Sequence, residues 1–240
     1  MRGQNFLKNV ENLEIRERVF KAAFTLAEVL ITLGIIGVVA AMTIPTLMTN
    51  YAKHKTETQL VKFYSMMNQT LKMSVADNGD PDGWVVAKKN YSYKETVEFL
   101  NTYIYPYMKH LGYKECITTT TQVGVCTMLM DGGLLWFSID ANGGDIIYWV
   151  SPKYWDLFIN GKLKNKPRYK FQFQFAKVSG GPNNVTNSIS YIEPYIYMWD
   201  GTKKGLESNT WACVPNCTNC GYCTKRIQMN SWKIPSDYPW

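Results

Sequence analysis

The chain has 240 residues, of which 46% are hydrophobic, and a formal net charge of +7 at pH 7. This length accommodates one membrane helix and one domain of about 170 to 190 residues, and does not favour a second full domain. The positive charge is moderate and forms no clustered stripe, so it gives no support to a nucleic-acid-binding protein.

The first 23 residues form a polar segment of mixed charge. Met1–Ala23 contains five basic and three acidic residues, so a chain without this segment carries a net charge of +5. By the positive-inside rule, these basic residues predict that the N-terminus stays in the cytoplasm. Everything after Met48 is then expected outside the cytoplasmic membrane.

Phe24–Met48 is an apolar stretch interrupted by one charged residue, Glu28. About 25 residues at ~1.5 Å each exceed the ~30 Å hydrocarbon core of a bilayer, which predicts a membrane helix. A carboxylate near the start of such a helix costs about 2 kcal/mol or more unless it has a partner or reaches headgroup water. Pro45 removes a backbone donor, which predicts a bend or local melting of the helix between Ala41 and Pro45.

The residues at the start of this stretch resemble the processing site of type IV prepilins. Lys21 and two small residues precede Phe24, and Glu28 is the fifth residue of the apolar stretch. The block is similar to the class III signal of type IV pilins and of type II secretion pseudopilins. The resemblance implies that a prepilin peptidase cleaves between Ala23 and Phe24 and N-methylates Phe24. It also implies that Glu28 pairs with the N-terminal amine of a neighbouring subunit, and that Pro45 matches the helix-kinking proline of pilins.

One position departs from this family. Ala23 stands where the family usually has Gly, and because Ala is also small we expect processing at a lower rate. A Sec signal peptide is the competing interpretation, since Val39-Ala40-Ala41 offers a small-residue cleavage site. The carboxylate inside the apolar stretch, the long leader of mixed charge and the continuation of the apolar stretch beyond Ala41 count against it.

Residues 49–76 are predicted to continue the helix as an amphipathic segment, because apolar residues recur there at helical spacing. These residues are Leu60, Phe63, Tyr64, Met67, Leu71 and Val75. The sequence DNGDPDG at 77–83 is predicted to end the helix.

Residues 77–240 are predicted to form an extracytoplasmic α+β head. A second helix is expected from Lys94 to His110, bent at Pro106, before the pattern changes to period two. The predicted strands are Val123–Met130, Leu134–Ile139, Asp145–Val150, Tyr169–Val178 and Ile189–Trp199, the last broken at Pro194. The predicted fold class is therefore α+β: a long N-terminal helix, half membrane-embedded and half amphipathic, packed on a head with an antiparallel β-sheet. The pilin resemblance implies the same architecture.

Six cysteines lie in the head: Cys116, Cys126, Cys213, Cys217, Cys220 and Cys223. An even number in an extracytoplasmic domain favours disulfides, and the first two are predicted to form a local pair. The other four permit three pairings that spacing does not distinguish. Their Cys-x2-Cys spacing also suits a zinc ion or an iron–sulfur cluster in a cytosolic protein, although disulfides are favoured outside the cytoplasmic membrane.

The sequence contains no recognisable catalytic constellation. His54 and His110 have no matching serine or cysteine, and no phosphate loop or zinc-hydrolase pattern occurs, so we expect neither an enzyme nor a cofactor. Asp140, Asn142 and Asp145 form a weak alternative as a calcium site, although turn chemistry explains them more simply. Residues 231–240, rich in aromatics and proline, are predicted to pack onto the sheet, with a contact surface as the alternative.

Together these features predict a structural subunit of a type IV pilus or a type II secretion pseudopilus. Its expected partners are a prepilin peptidase, other pilin or pseudopilin subunits, the assembly machinery and the membrane, with no specific nucleic acid. Its expected location is the bacterial cytoplasmic membrane as a single-pass protein, and the cell surface when assembled. The alternative is a membrane-anchored or secreted cysteine-rich binding protein that does not polymerise.

Overall fold

The computed structural model describes residues 25–89, 91–118, 122–140, 143–163, 166–175 and 191–240. Within these residues the helices are α1 (Leu26–Asn78), α2 (Tyr93–Tyr103), α3 (Pro152–Ile159) and α4 (Cys223–Met229). The strands are β1 (His110–Ile117), β2 (Val123–Leu129), β3 (Leu134–Asp140), β4 (Gly143–Trp149), β5 (Lys170–Phe175) and β6 (Ile192–Pro194). The fold class is α+β, as predicted. The chain divides into two units, with the boundary after Asn50 inside α1.

The long N-terminal helix α1 is continuous from Leu26 to Asn78. The helix ends at Asn78 rather than at the predicted Ala76. At this end, the Gly79 N–H donates to the Val75 carbonyl at 3.0 Å. Pro45 lies inside the helix, so the predicted local melting does not occur there. The bend at Pro45 stays a prediction.

The sheet is an antiparallel meander in which the six strands lie side by side in chain order. The predicted strands Val123–Met130, Leu134–Ile139 and Asp145–Val150 correspond to β2, β3 and β4, which pair consecutively and antiparallel, and β5 pairs next to β4. β6 ends at Pro194, the residue predicted to break it, because proline has no N–H to donate to a ladder.

One face of the sheet carries the main core. Phe63, from the part of α1 after Asn50, stacks on Tyr148 of β4 with ring centroids 5.0 Å apart, and meets Phe173 of β5 edge-on at 4.9 Å. Helix α2 covers the same face, where the Thr96 hydroxyl accepts the Ile139 N–H of β3 at 3.3 Å. The apolar residues predicted to line one side of α1 are thus mostly core residues: Leu60, Phe63, Met67 and Leu71 are buried.

The opposite face carries a second, smaller cluster. Trp136, Ile147 and Trp149 pack there against Trp155 of α3, and the rings of Trp149 and Trp155 meet edge to face at 5.8 Å. On this face β5 presents three polar side chains, Lys170, Gln172 and Gln174. All three are buried, so this part of the face is polar but shielded from solvent. The alternation predicted for β5 is therefore confirmed, although both of its sides are covered.

The second helix is shorter than predicted. α2 ends at Tyr103, and Pro106 lies in a 3-10 turn at Tyr105–Tyr107, since proline disfavours the α conformation in the residue before it. His110 opens β1, where its ring lies 4.4 Å from that of Tyr105. The prediction that His110 ends the second helix was therefore wrong.

Candidate functional site

The candidate functional segment is the first part of α1, residues 26–50. Its most apolar 18-residue window has a mean hydropathy of 2.2, and none of that window is buried, so the helix is long and apolar enough to cross a membrane. Leu30 and Ile36, for example, are 61% and 62% exposed. An uncovered apolar surface of this size is typical of a segment that faces lipid or other helices.

Three threonine hydroxyls of this segment form hydrogen bonds within the helix. The hydroxyls of Thr32, Thr43 and Thr49 each donate to a backbone carbonyl of the preceding turn at 2.9 Å. A hydroxyl bonded in this way does not carry an unmet donor into hydrocarbon, where each unmet group costs several kcal/mol. These threonines are therefore compatible with a lipid or helix-packing environment.

Glu28 forms a capping box with Thr25 at the start of α1. Its Oε2 accepts both the Thr25 N–H and the Thr25 hydroxyl at 2.8 Å, and its own N–H donates to Thr25 Oγ1 at 3.2 Å. These reciprocal bonds satisfy donors that the first turn of a helix otherwise leaves free. Thr25-Leu26-Ala27-Glu28 has the Ser/Thr-x-x-Glu signature of this motif, which the sequence reasoning missed. The carboxylate that looked isolated in the sequence thus has a local partner.

The structure describes only some of the other residues that the prepilin resemblance singles out. Ala23 and Phe24 lie outside the described residues, so cleavage and N-methylation stay predictions. Near Pro45 the helix is uninterrupted. Gly34 and Gly37 have open space beside their Cα atoms, which leaves room for a neighbouring helix to approach.

All six cysteines form disulfides. Cys116–Cys126 confirms the predicted local pair, and joins β1 to β2 diagonally, since the ladder places Gly124 opposite Cys116. The C-terminal four pair as Cys213–Cys223 and Cys217–Cys220, one bridge nested inside the other. The zinc and iron–sulfur alternatives fail because no thiol is left to bind a metal.

Two lysines bind the short loop that the Cys217–Cys220 disulfide closes. Lys166 Nζ donates to the Thr218 carbonyl at 2.9 Å, and Lys170 Nζ donates to the Asn219 carbonyl at 3.1 Å. Lys170 is buried, and this burial lowers the pKa of its ammonium group to about 8, with Lys166 contributing in the same direction.

The C-terminal tail packs on the main core and contacts both α1 and the segment just before β5. Trp232 lies against Tyr64 with ring centroids 4.9 Å apart. Glu57, a buried acid of α1, accepts the Ile234 N–H at 2.8 Å and the Lys233 ammonium at 3.0 Å. The tail packs on the main core as predicted, and its contact with α1 through Glu57 is one that sequence reasoning missed.

The calcium alternative gains no support. Asn142 and the side chain of Asp140 lie outside the described residues, and Asp145 is a half-buried residue of β4 opposite Gln174. Within the described residues, no group of three or more His, Cys, Asp or Glu side chains is placed to hold a metal.

A family model described as a family of unknown function, DUF6613, matches residues 46–240. The chain belongs to DUF6613. No curated protein and no solved structure matches it significantly.

The limits of the DUF6613 match separate two groups of features. The match contains the head, all six cysteines and the part of α1 that carries Glu57. It begins directly after Pro45, so Glu28 and all but the last three residues of the apolar stretch Phe24–Met48 lie before it. Membership of DUF6613 therefore describes the head and assigns it no activity.

Proposed function

We propose that this DUF6613 chain is a prepilin-like structural subunit, cleaved before Phe24 and N-methylated by a prepilin peptidase. The mature subunit assembles through the apolar part of α1 into a type IV pilus or a type II secretion pseudopilus. The observation that carries the proposal is the position of Glu28: a lone carboxylate, the fifth residue after the proposed cleavage site, at the start of an uncovered apolar helix. A simple anchor uses such a carboxylate only to cap the helix start, and its charge is a cost in lipid.

The fold supports this proposal in two ways. The second part of α1 supplies core residues to an antiparallel sheet, which is the arrangement that the pilin resemblance implies. The three disulfides favour an oxidising compartment for the head, which agrees with a head outside the cytoplasmic membrane.

The capping box adds a condition to the role of Glu28. Thr25 is the second residue of the proposed mature chain, so its bonds to Glu28 survive cleavage. Pairing with a neighbouring subunit requires the negative charge of Glu28. Capping the start of the helix requires only an acceptor oxygen on its side chain. Substitutions that separate the charge from the acceptor distinguish these two roles.

The testing experiment compares Glu28→Gln with Thr25→Ala in cells that contain the matching peptidase and assembly machinery. Glu28→Gln keeps an acceptor oxygen for the Thr25 N–H but removes the charge, whereas Thr25→Ala keeps the charge and removes the hydroxyl. We expect Glu28→Gln, like Glu28→Ala, to reach the membrane and to be cleaved, but to fall about tenfold or more in the sheared filament fraction, a loss worth ~1.4 kcal/mol or more. Thr25→Ala is expected to assemble nearly as the parent does.

Normal incorporation of Glu28→Gln would contradict the pairing role. Loss of incorporation in Thr25→Ala with retention in Glu28→Gln would assign the importance of Glu28 to helix capping alone. Immunoblots of membrane and sheared fractions give both readings, and the cleaved size of each variant shows that processing has occurred.

A membrane-anchored or secreted cysteine-rich binding protein is the second candidate. The start of the DUF6613 match after Pro45 favours it, because a family of heads on unrelated anchors would have such a boundary. In that case the chain stays uncut as an anchor, or begins at Met42 after signal-peptidase cleavage, and does not enter filaments.

A further inference from the structure

The three disulfides differ in the size of the loop that each one closes. Cys217–Cys220 has a sequence separation of 3, whereas Cys116–Cys126 and Cys213–Cys223 both have a separation of 10. In the chain-entropy account, a smaller loop restricts the unfolded chain less. Cys217–Cys220 therefore contributes least to stability, and opening it costs the fold least.

Positive charge is concentrated next to this bridge. The carbonyls of Thr218 and Asn219, the two residues between its cysteines, each accept a lysine ammonium group, from Lys166 and Lys170 respectively. Cations near a cysteine favour the thiolate over the thiol, and a Cys-x-x-Cys spacing is one in which thiol pKa values are commonly lowered. A stabilised thiolate is both a better leaving group and a more favourable product of reduction.

Access to the bridge is through Cys217. Among the four C-terminal cysteines, Cys213, Cys220 and Cys223 have no exposed surface, whereas Cys217 is 8% exposed. Its flanking residues Asn216 and Thr218 are exposed. Cys217 thus has the greater access of the two residues, which makes it the attacked cysteine and Cys220 the leaving group.

We propose that Cys217–Cys220 is a thiol–disulfide exchange site that accepts two electrons from a dithiol of a second molecule. The thiolate of the dithiol attacks Cys217 Sγ, the Cys217–Cys220 bond breaks, and Cys220 leaves as a thiolate that takes a proton from water. The second thiol of the partner then attacks its own sulfur in the mixed disulfide. This step releases Cys217 as a thiolate and leaves the partner oxidised to a disulfide, so two thiols form here for the two consumed there.

The surrounding structure keeps the site intact after reduction. The enclosing bridge Cys213–Cys223 still fixes both ends of the segment, and the bonds from Lys166 and Lys170 go to carbonyls that reduction does not alter. The two thiols thus stay close enough to close again. This activity lies beyond the proposed assembly function and does not depend on it, because it belongs entirely to the head.

The test is a redox titration of the full chain in detergent micelles at pH 7. Samples are equilibrated with graded ratios of reduced to oxidised dithiothreitol, quenched with acid, alkylated with N-ethylmaleimide and mapped by peptide mass spectrometry. We expect Cys217 and Cys220 to be half-alkylated at a ratio about tenfold lower than the one that opens either other bridge, which corresponds to ~30 mV. Opening of Cys116–Cys126 first, or opening of all four C-terminal cysteines together, would overturn the proposal.

Lys166→Gln tests the contribution of charge, with Lys162→Gln as the matched control. Lys162 is an exposed lysine of the same segment. Removing the Lys166 charge is expected to raise the required ratio about threefold, Lys166→Arg is expected to restore it, and Lys162→Gln is expected to leave it unchanged. An unchanged ratio in Lys166→Gln, with circular dichroism equal to that of the parent, would remove the electrostatic basis of the proposal and overturn it.

Discussion

Lys170 is a buried cation whose ionisation is linked to folding. It is 7% exposed, and its ammonium group donates to the Asn219 carbonyl. Burial, with a further contribution from Lys166, lowers its pKa from 10.5 to about 8, while Asp145 acts in the opposite direction. Between these two pKa values the unfolded chain binds more protons at this site than the folded chain does.

The free energy of unfolding should therefore rise with pH between about pH 8 and pH 10, by up to ~3 kcal/mol from this residue. The half-buried Lys225, whose pKa is also lowered by burial, should likewise make the free energy of unfolding rise with pH. Above about pH 10 the trend should reverse, because burial raises the pKa of Tyr148 and of Tyr238, which then keep protons that the unfolded chain releases. Urea unfolding of the full chain in micelles, followed by tryptophan fluorescence at several pH values, measures both limbs.

Lys170→Met is the matched control for this pH dependence. It removes the ionisable group but keeps an unbranched apolar stem, so most of the rise between pH 8 and pH 10 should disappear. If stability fell over this interval in the parent chain, or if Lys170→Met kept the full rise, the assignment to Lys170 would be wrong.

Glu28 shows how far single residues can be understood from sequence. Its position in an apolar stretch marks it as a residue that needs a partner, and that inference follows from the cost of a carboxylate in lipid alone. The partner found in the structure, Thr25, was also present in the sequence as a capping box. The four C-terminal cysteines are a different case, because three pairings fit their spacing and only the folded backbone selects one.

At the scale of elements, Glu57 joins the C-terminal tail to α1. It is 8% exposed and accepts the Ile234 N–H and the Lys233 ammonium, and it lies 3.3 Å from His54 Nδ1. Removing the carboxylate leaves the donors of the tail without their acceptor. A buried donor that loses its acceptor costs about 1 to 3 kcal/mol.

We therefore expect Glu57→Ala to lower the free energy of unfolding by about 2 kcal/mol. Glu98→Ala is the matched control. Glu98 is an exposed acid of α2 that pairs with Lys94 at 4.0 Å, and its loss is expected to cost no more than about 0.5 kcal/mol. Equal effects of the two substitutions in urea unfolding would contradict a specific clamp at Glu57.

The elements that sequence patterns predicted are those with a full apolar face. α1, β2, β3, β4 and β5 each contribute regular rows of core residues, and such rows survive as periodicity in the sequence. β1 was missed because it is an edge strand with mostly exposed side chains and a register shift near Gly112. α3 and α4 were missed because eight and seven residues are too few to show a helical period, although Ser151-Pro152 is a recognisable helix start.

At the scale of the whole molecule, the two units of the chain present different chemistry. Residues 26–45 are mostly apolar, uncovered and outside the DUF6613 match, whereas the head buries an aromatic core on both faces of its sheet and is closed by three disulfides. The fold class followed from the sequence because the change from helical spacing to period two occurs once along the chain. The contact between the tail and α1 did not, since it depends on the burial of Glu57, which only the folded head produces.

The most direct test of the proposed function is the mass of the mature N-terminus. The full chain is co-expressed with the matching prepilin peptidase, purified from membranes and analysed by intact and peptide mass spectrometry. We expect a chain that begins at N-methylated Phe24, formed faster in Ala23→Gly and blocked in Ala23→Leu. A chain that begins at Met42, or one that keeps Met1–Ala23 in the presence of an active peptidase, would contradict the proposed function.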